Sequence, residues 1–184
     1  MSATRLYVWG IMLVLVFSGG CGYRMAHFDN PELAGITTIA IPFFENETYE
    51  PGLDALFTYA FSDKFIETRR LQVVGVDEAD LVMRGTIKKV SYDALGMTED
   101  RRALEWRIWL TAQIAVTERE SGRVLWSRSS LRHSEEYRTT DQTEEVPGAT
   151  TDELQIDAAA RRQAFQKLAA DMAEQVHDGL LQGF

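Results

Sequence analysis

Residues 104–118 alternate without a break. Leu104, Trp106, Ile108, Leu110, Ala112, Ile114 and Val116 stand against Glu105, Arg107, Trp109, Thr111, Gln113, Ala115 and Thr117. Successive side chains of a strand leave opposite faces, so one face of this segment is wholly apolar and the other mostly polar. A strand of that pattern belongs to an antiparallel sheet covered on one side only. Glu120-Ser121-Gly122 supplies a tight turn, and Arg123 to Tyr137 returns as the hairpin partner.

The remaining segments must then provide the cover. Ile36 to Phe44 is β-branched and aromatic and reads as a strand, with Ile39, Ile41 and Phe43 on one face and Pro42 marking an edge or strand end. Glu45 to Glu50 reads as a polar loop, and Asn46-Glu47-Thr48 within it fits a glycosylation sequon. Pro51 opens a helix whose apolar stripe is Leu53, Leu56, Phe57, Ala60, Phe61 and Phe65, closing near Thr68 to Arg70. Leu71 to Val76 is a short strand. Leu81 to Tyr92 is a longer one whose parity shifts between Ile87 and Val90, which predicts a bulge near Lys88 and Lys89. Asp93 to Ala103 reads as a polar connection, and Arg138 to Thr150 as another. From Thr139 to Ala160 there are six acids and no Lys or Arg, the pattern of a solvated loop and helix N-terminus. Thr150 with Glu153 forms a capping box for a second helix, in which Leu154, Ala158, Phe165, Leu168, Met172 and Val176 recur at helical spacing up to Gly179. The expected fold is α+β: a two-layer domain with two helices packed on one face of a mixed, mostly antiparallel sheet of about four strands.

The chain begins differently. Arg5 precedes an apolar run from Ile11 to Phe17, and Ser18, Gly19 and Gly20 lead to Cys21, the only cysteine. That is the layout of a secretory signal peptide, too short to span a bilayer, which takes about 20 apolar residues. The arrangement resembles a bacterial lipobox, in which the Cys thiol is acylated and becomes the new N-terminus. Ser18 stands where lipoboxes prefer Leu. The alternative is an ordinary signal peptide with Cys21 incidental. Gly22 after the cysteine implies, by the enterobacterial sorting rule, transport to the outer membrane. The expected organisation is therefore a signal peptide over 1–20, a lipidated tether over 21–35 and one domain over 36–184. A net charge of −9 argues against a nucleic-acid surface and against broad adhesion to anionic headgroups, so attachment to a membrane falls to the lipid.

No catalytic constellation is legible. His27, His133 and His177 are scattered without metal-ligand spacing, and there is neither a nucleophile elbow nor a phosphate-cradling loop. A non-enzymatic chain with no metal or cofactor is expected.

Taken together, Cys21-Gly22-Tyr23, the run Ile39 to Thr48 (IAIPFFENET), Glu50-Pro51-Gly52-Leu53, Ala79-Asp80 leading into a strand with Gly85, and Gly122 to Trp126 (GRVLW) resemble the LPS-assembly lipoprotein family LptE, also called RlpB. The resemblance spans nearly all of the mature chain and implies two helices against a four-stranded sheet. It also implies an outer-membrane lipoprotein, anchored on the periplasmic side, that plugs the β-barrel LptD, helps it fold and helps deliver lipopolysaccharide to the outer leaflet. A wet, polar barrel lumen calls for a polar wedge, which the open face of 104–118 could supply. Lipid A phosphates call for Arg or Lys. The candidates are Arg84 and Lys88 on one strand, Arg107 on the next, and Arg101 with Arg102 in the connection; Trp109, on the polar face, is the candidate partner anchor. The rival is a periplasm-facing lipoprotein of similar fold, acting as a secretion-pore subunit or peptidoglycan-synthase activator.

Overall fold

The structure, a computed structural model, describes residues 30–97, 103–138 and 151–182. The proposed signal peptide, Cys21 and most of the tether lie outside the described residues, as do Arg101, Arg102 and Thr150 of the expected capping box.

Six strands form one sheet: β1 (Thr38–Ala40), β2 (Glu45–Asn46), β3 (Gln72–Val73), β4 (Leu81–Met97), β5 (Ala103–Glu118) and β6 (Val124–Arg138). The order is β3-β1-β4-β5-β6, with β2 also pairing with β4. Pairs among β1, β2, β3 and β4 are parallel, whereas the long β4-β5-β6 meander is antiparallel. Two helices, α1 (Leu53–Thr68) and α2 (Thr151–Gln182), pack on one face. The α+β two-layer class is as expected, with six strands in place of about four. The short strand expected over Leu71 to Val76 is present as the two-residue β3, and β2 is a two-residue pairing within the segment expected as a polar loop, too short to leave a periodic signal.

Several boundaries differ from expectation, among them that the second helix runs on to Gln182, past Gly179. The segment from Ile36 to Phe44 is a strand only through Ala40, because Pro42 has no N–H to donate to a ladder. The alternation breaks there: Phe43 is 63% exposed while Phe44 is buried. Next, α1 begins at Leu53, and Pro51 lies outside it, because Gly52 takes a left-handed backbone (φ 79°) as the N-cap. Lastly, β4 runs on to Met97, so much of the expected polar connection is strand. Its pairing with β5 continues as far as Met97 opposite Ala103.

Phe44 fixes where α1 docks. Its ring lies 4.9 Å from Phe61 and 6.4 Å from Phe57, centroid to centroid. Its backbone N–H donates to the buried Thr58 hydroxyl (2.9 Å), which itself donates to the Asp54 carbonyl (2.6 Å). The ring stands directly over Gly85 of β4, where an added Cβ would come within 2.3–2.5 Å of it. Fully burying each such ring contributes about 1.5–3 kcal/mol, so the pocket over Gly85 holds a substantial share of the contact between α1 and the sheet. On the other side of the layer, Leu168, Met172 and Val176 of α2 belong to the same core as Ile108, Leu110, Ile114 and Val116. At its margin, α2 is tied to β6 by Lys167–Glu135 (2.7 Å) and His133–Asp171 (3.6 Å).

Two polar devices hold the margin of β1. The Asp80 carboxylate accepts from the backbone N–H groups of Thr37 (2.9 Å) and Thr38 (3.0 Å), while its own N–H donates to the Thr38 hydroxyl (2.8 Å). These bonds, the Thr37 N–H foremost, hold its pKa below the ordinary carboxylate value against a smaller opposing effect of burial. The sequon is an Asx turn: Asn46 Oδ1 accepts from the N–H (3.0 Å) and hydroxyl (2.7 Å) of Thr48, and its Nδ2 donates to the Glu50 carbonyl (2.7 Å).

These contacts carry consequences for stability. Gly85→Ala should destabilise the domain by about 1–3 kcal/mol in denaturant unfolding, because the Phe44 ring must move, and Phe44→Leu in the same chain should recover part of the loss. Since the folded-state pKa of Asp80 is depressed, its contribution is present above the ordinary value near ~3.9 and lost as pH falls through the lower folded value. Asp80→Asn should therefore cost about 1 kcal/mol at pH 7, discounted for solvent access. The gap to the natural chain should narrow in unfolding curves as the pH is taken down below the ordinary carboxylate range.

Candidate interface on the open sheet face

The sheet face opposite the helices is built by the β4-β5-β6 register. Across it run rows of facing residues: Arg84–Ala115–Ser127, Lys89–Thr111–Arg132, Ser91–Trp109–Ser134 and Asp93–Arg107–Glu136. Two irregularities set these rows. On β4 the register shifts between Ile87 and Lys89, so Lys88 is the extra residue, at the site expected for a bulge. On β6 it shifts between Arg128 and Leu131, which brings Arg132 to the open face and Leu131 into the core.

Trp109 is the centre of this face, and it is half-buried. Its indole N–H donates to Asp93 (2.7 Å). The Arg132 guanidinium lies 4.0 Å above its ring and that of Arg107 at 5.9 Å. Such stacking is worth about 0.5–1 kcal/mol where water has access. Arg107 also makes two hydrogen bonds to one Glu136 oxygen, through Nε (3.0 Å) and Nη2 (2.5 Å). Trp109 is thus on the polar face, as expected, but already held by two arginines and a carboxylate.

The remaining candidates separate. Lys88 is engaged by Glu47 (2.5 Å), whose own N–H donates to the Ile87 carbonyl. Arg84 is exposed on the open face and has no ion pair among the described residues. Arg107 is neutralised by Glu136. Lys89 and Arg132 are further cations on this face that the sequence expectation did not include. Lys89 follows from the bulge already expected. Arg132 had no readable signal, because parity counted on from Trp126 places it inside until the β6 bulge is known. Chemically, the face offers spaced cations around a clamped aromatic, suited to anionic or polar partners. Among the described residues no cluster of His, Cys, Asp or Glu could hold a metal ion, and no helix is long and apolar enough to cross a membrane.

No curated protein sequence matches the chain. Solved structures match in fold. The hypothetical protein CT253 from Chlamydia trachomatis superposes with a TM-score of 0.51 at 12% identity, covering 80% of this chain and 99% of that one. Protein XCC0632 from Xanthomonas campestris gives 0.51 at 13% identity, with 80% and 85% covered. A PelC dodecamer from Paraburkholderia phytofirmans gives 0.50 at 13% identity, with 80% and 89% covered. The sequence profile described as LptE, lipopolysaccharide-assembly, matches residues 36–180. Matched over most of its length, and carrying the two-helix, one-sheet architecture described above, this chain belongs to the lipopolysaccharide-assembly LptE family.

Proposed function

We propose that this protein is an outer-membrane lipoprotein, acylated at Cys21 after removal of residues 1–20, whose domain over 36–184 plugs and supports assembly of the LptD β-barrel in lipopolysaccharide transport. The family match over residues 36–180 carries this assignment. The one-sided sheet supports it, since a barrel lumen is polar and wet and the open face presents Arg84, Thr86, Lys89, Thr111, Gln113 and Arg132. On this proposal the domain acts as a rigid binding element and performs no reaction. The protein meets lipopolysaccharide through cations: Arg84, Lys89 and Arg132 on the face, with Arg101 and Arg102 in the connection between β4 and β5.

A mild-detergent pull-down of tagged, full-length protein from native membranes, with mass spectrometry of its companions, tests the assignment. Recovery of a stoichiometric large outer-membrane β-barrel, with diacylglyceryl mass on Cys21, is the expected result. A homo-oligomeric ring without a barrel would overturn it in favour of a pore-type lipoprotein. For the lipid, Arg84→Glu with Arg132→Glu should weaken lipopolysaccharide binding by roughly tenfold while the far-ultraviolet circular dichroism is unchanged, as expected for lost charge-assisted contacts. Arg101→Glu with Arg102→Glu should do likewise. Unaltered affinity in both pairs would remove this face and the adjoining connection from lipid binding.

A further inference from the structure

We infer that the groove between α1 and α2, on the side away from the sheet, takes an amphipathic helix of a partner protein, with its acidic end over Arg161 and Arg162 and its basic end over Asp63 and Glu67.

The groove follows from how the helices lie. Leu53 and Leu56 of α1 share a cleft with Ala158 and Arg161 of α2, and further on Lys64 pairs with Glu174 (3.6 Å) and Phe65 meets His177 edge to face (centroids 5.1 Å apart). The helices therefore run side by side in the same direction. Two clefts, of about 380 and 450 Å³, lie between them and both are lined by Leu56 and Gln166, so they join into one groove. From Leu53 to Glu67 it extends about 20 Å, at 1.5 Å per helical residue, the length of a four-turn helix. Its floor is apolar, made by Leu56, Ala60, Phe165 and Ala170, and the two alanines leave room for a third helix to approach.

Beside this floor one stretch of the rim is an open aromatic pair. Tyr59 is 60% exposed, and the 63% exposed Phe43 meets it edge to face with centroids 6.2 Å apart. A braced, exposed aromatic pair beside an apolar groove is the form taken by interface anchors, which lose little side-chain freedom on binding.

Charge selects the occupant. At the end where α1 begins, the groove is lined by Arg161, only loosely paired with Glu50 (3.9 Å), and by Arg162, which has no ion pair among the described residues. At the other end stand Asp63 and Glu67, with no ion pair among the described residues, beside Glu174, which Lys64 neutralises. An apolar floor between a basic and an acidic end is complementary to a helix charged oppositely at its two ends. A lipid with one anionic head would satisfy only the basic end.

The inference does not depend on the barrel assignment and can be tested on the full-length protein. The probe is a fluorescein-labelled 18-residue helical peptide with a leucine stripe, glutamates in its first turns and lysines in its last, followed by anisotropy. A scrambled peptide of the same composition and a peptide with lysines at both ends serve as comparisons. The expected result is saturable binding of the bipolar peptide, at least about tenfold tighter than the scrambled one. Arg161→Glu with Arg162→Glu should weaken the bipolar peptide by about tenfold and strengthen the lysine-ended peptide by a similar factor, a gain that an unfolded variant could not show. Equal binding of bipolar and scrambled peptides, no saturation below about 1 mM, or displacement of the bipolar peptide by dodecyl phosphate but not by unlabelled peptide would each overturn the inference.

Discussion

The helix layer depends on one close approach, the Phe44 ring standing on the bare backbone of Gly85. Pro42 ends β1 early, the chain turns, and Phe44 rather than Phe43 enters the core. Only a glycine on β4 leaves room for it. Once seated, the ring gives Phe57 and Phe61 a surface to pack against, and the Phe44 N–H is satisfied by Thr58 of the same helix. The position of α1 fixes the flank against which α2 lies, through Phe65 and His177. Both helices then occupy one face, and among the described residues the other is left without cover.

That asymmetry has a functional consequence. A domain buried on both sheet faces would offer partners only its loops and edges. Here a wide ladder of polar and cationic side chains is exposed on rigid strands, with Trp109 clamped between Arg132 and Arg107 at its centre. Side chains already held in place lose little entropy when a partner arrives. The cost is that some of the charge is already engaged: Arg107 by Glu136 and Lys88 by Glu47. Among the described residues the cations of the face without an ion pair are Arg84 and Lys89 on β4 and Arg132 on β6, the last resting on the Trp109 ring.

Much of the fold was legible because it rests on long, strictly patterned segments. The alternation over 104–118 gave the central strand and its two unlike faces, the phenylalanines of α1 gave its buried stripe, and the parity break after Ile87 gave the bulge. The failures are local and have causes. Phe43 and Phe44 are chemically alike, so no pattern says which turns inward; Gly85 decides it from 41 positions away. The extension of β4 to Met97 was hidden because Asp93, Ala94 and Leu95 are all exposed and carry no alternation. Arg132 was missed because a bulge among serines leaves no hydrophobic trace. Three of the motifs that carry the family resemblance make structural contacts: Ala79-Asp80 ties β1 to β4, Gly85 seats Phe44, and Glu50 accepts from Tyr92 beside Arg161.

The central claim is that the uncovered sheet face is the surface a large partner meets. Its most direct test is site-specific photocrosslinking in living cells, with a benzophenone amino acid in place of Gln113, which is exposed in the middle of that face. Irradiation should yield a crosslinked species containing an outer-membrane β-barrel. Normal abundance of the protein and of its barrel complex, with no crosslink from position 113, would contradict the account.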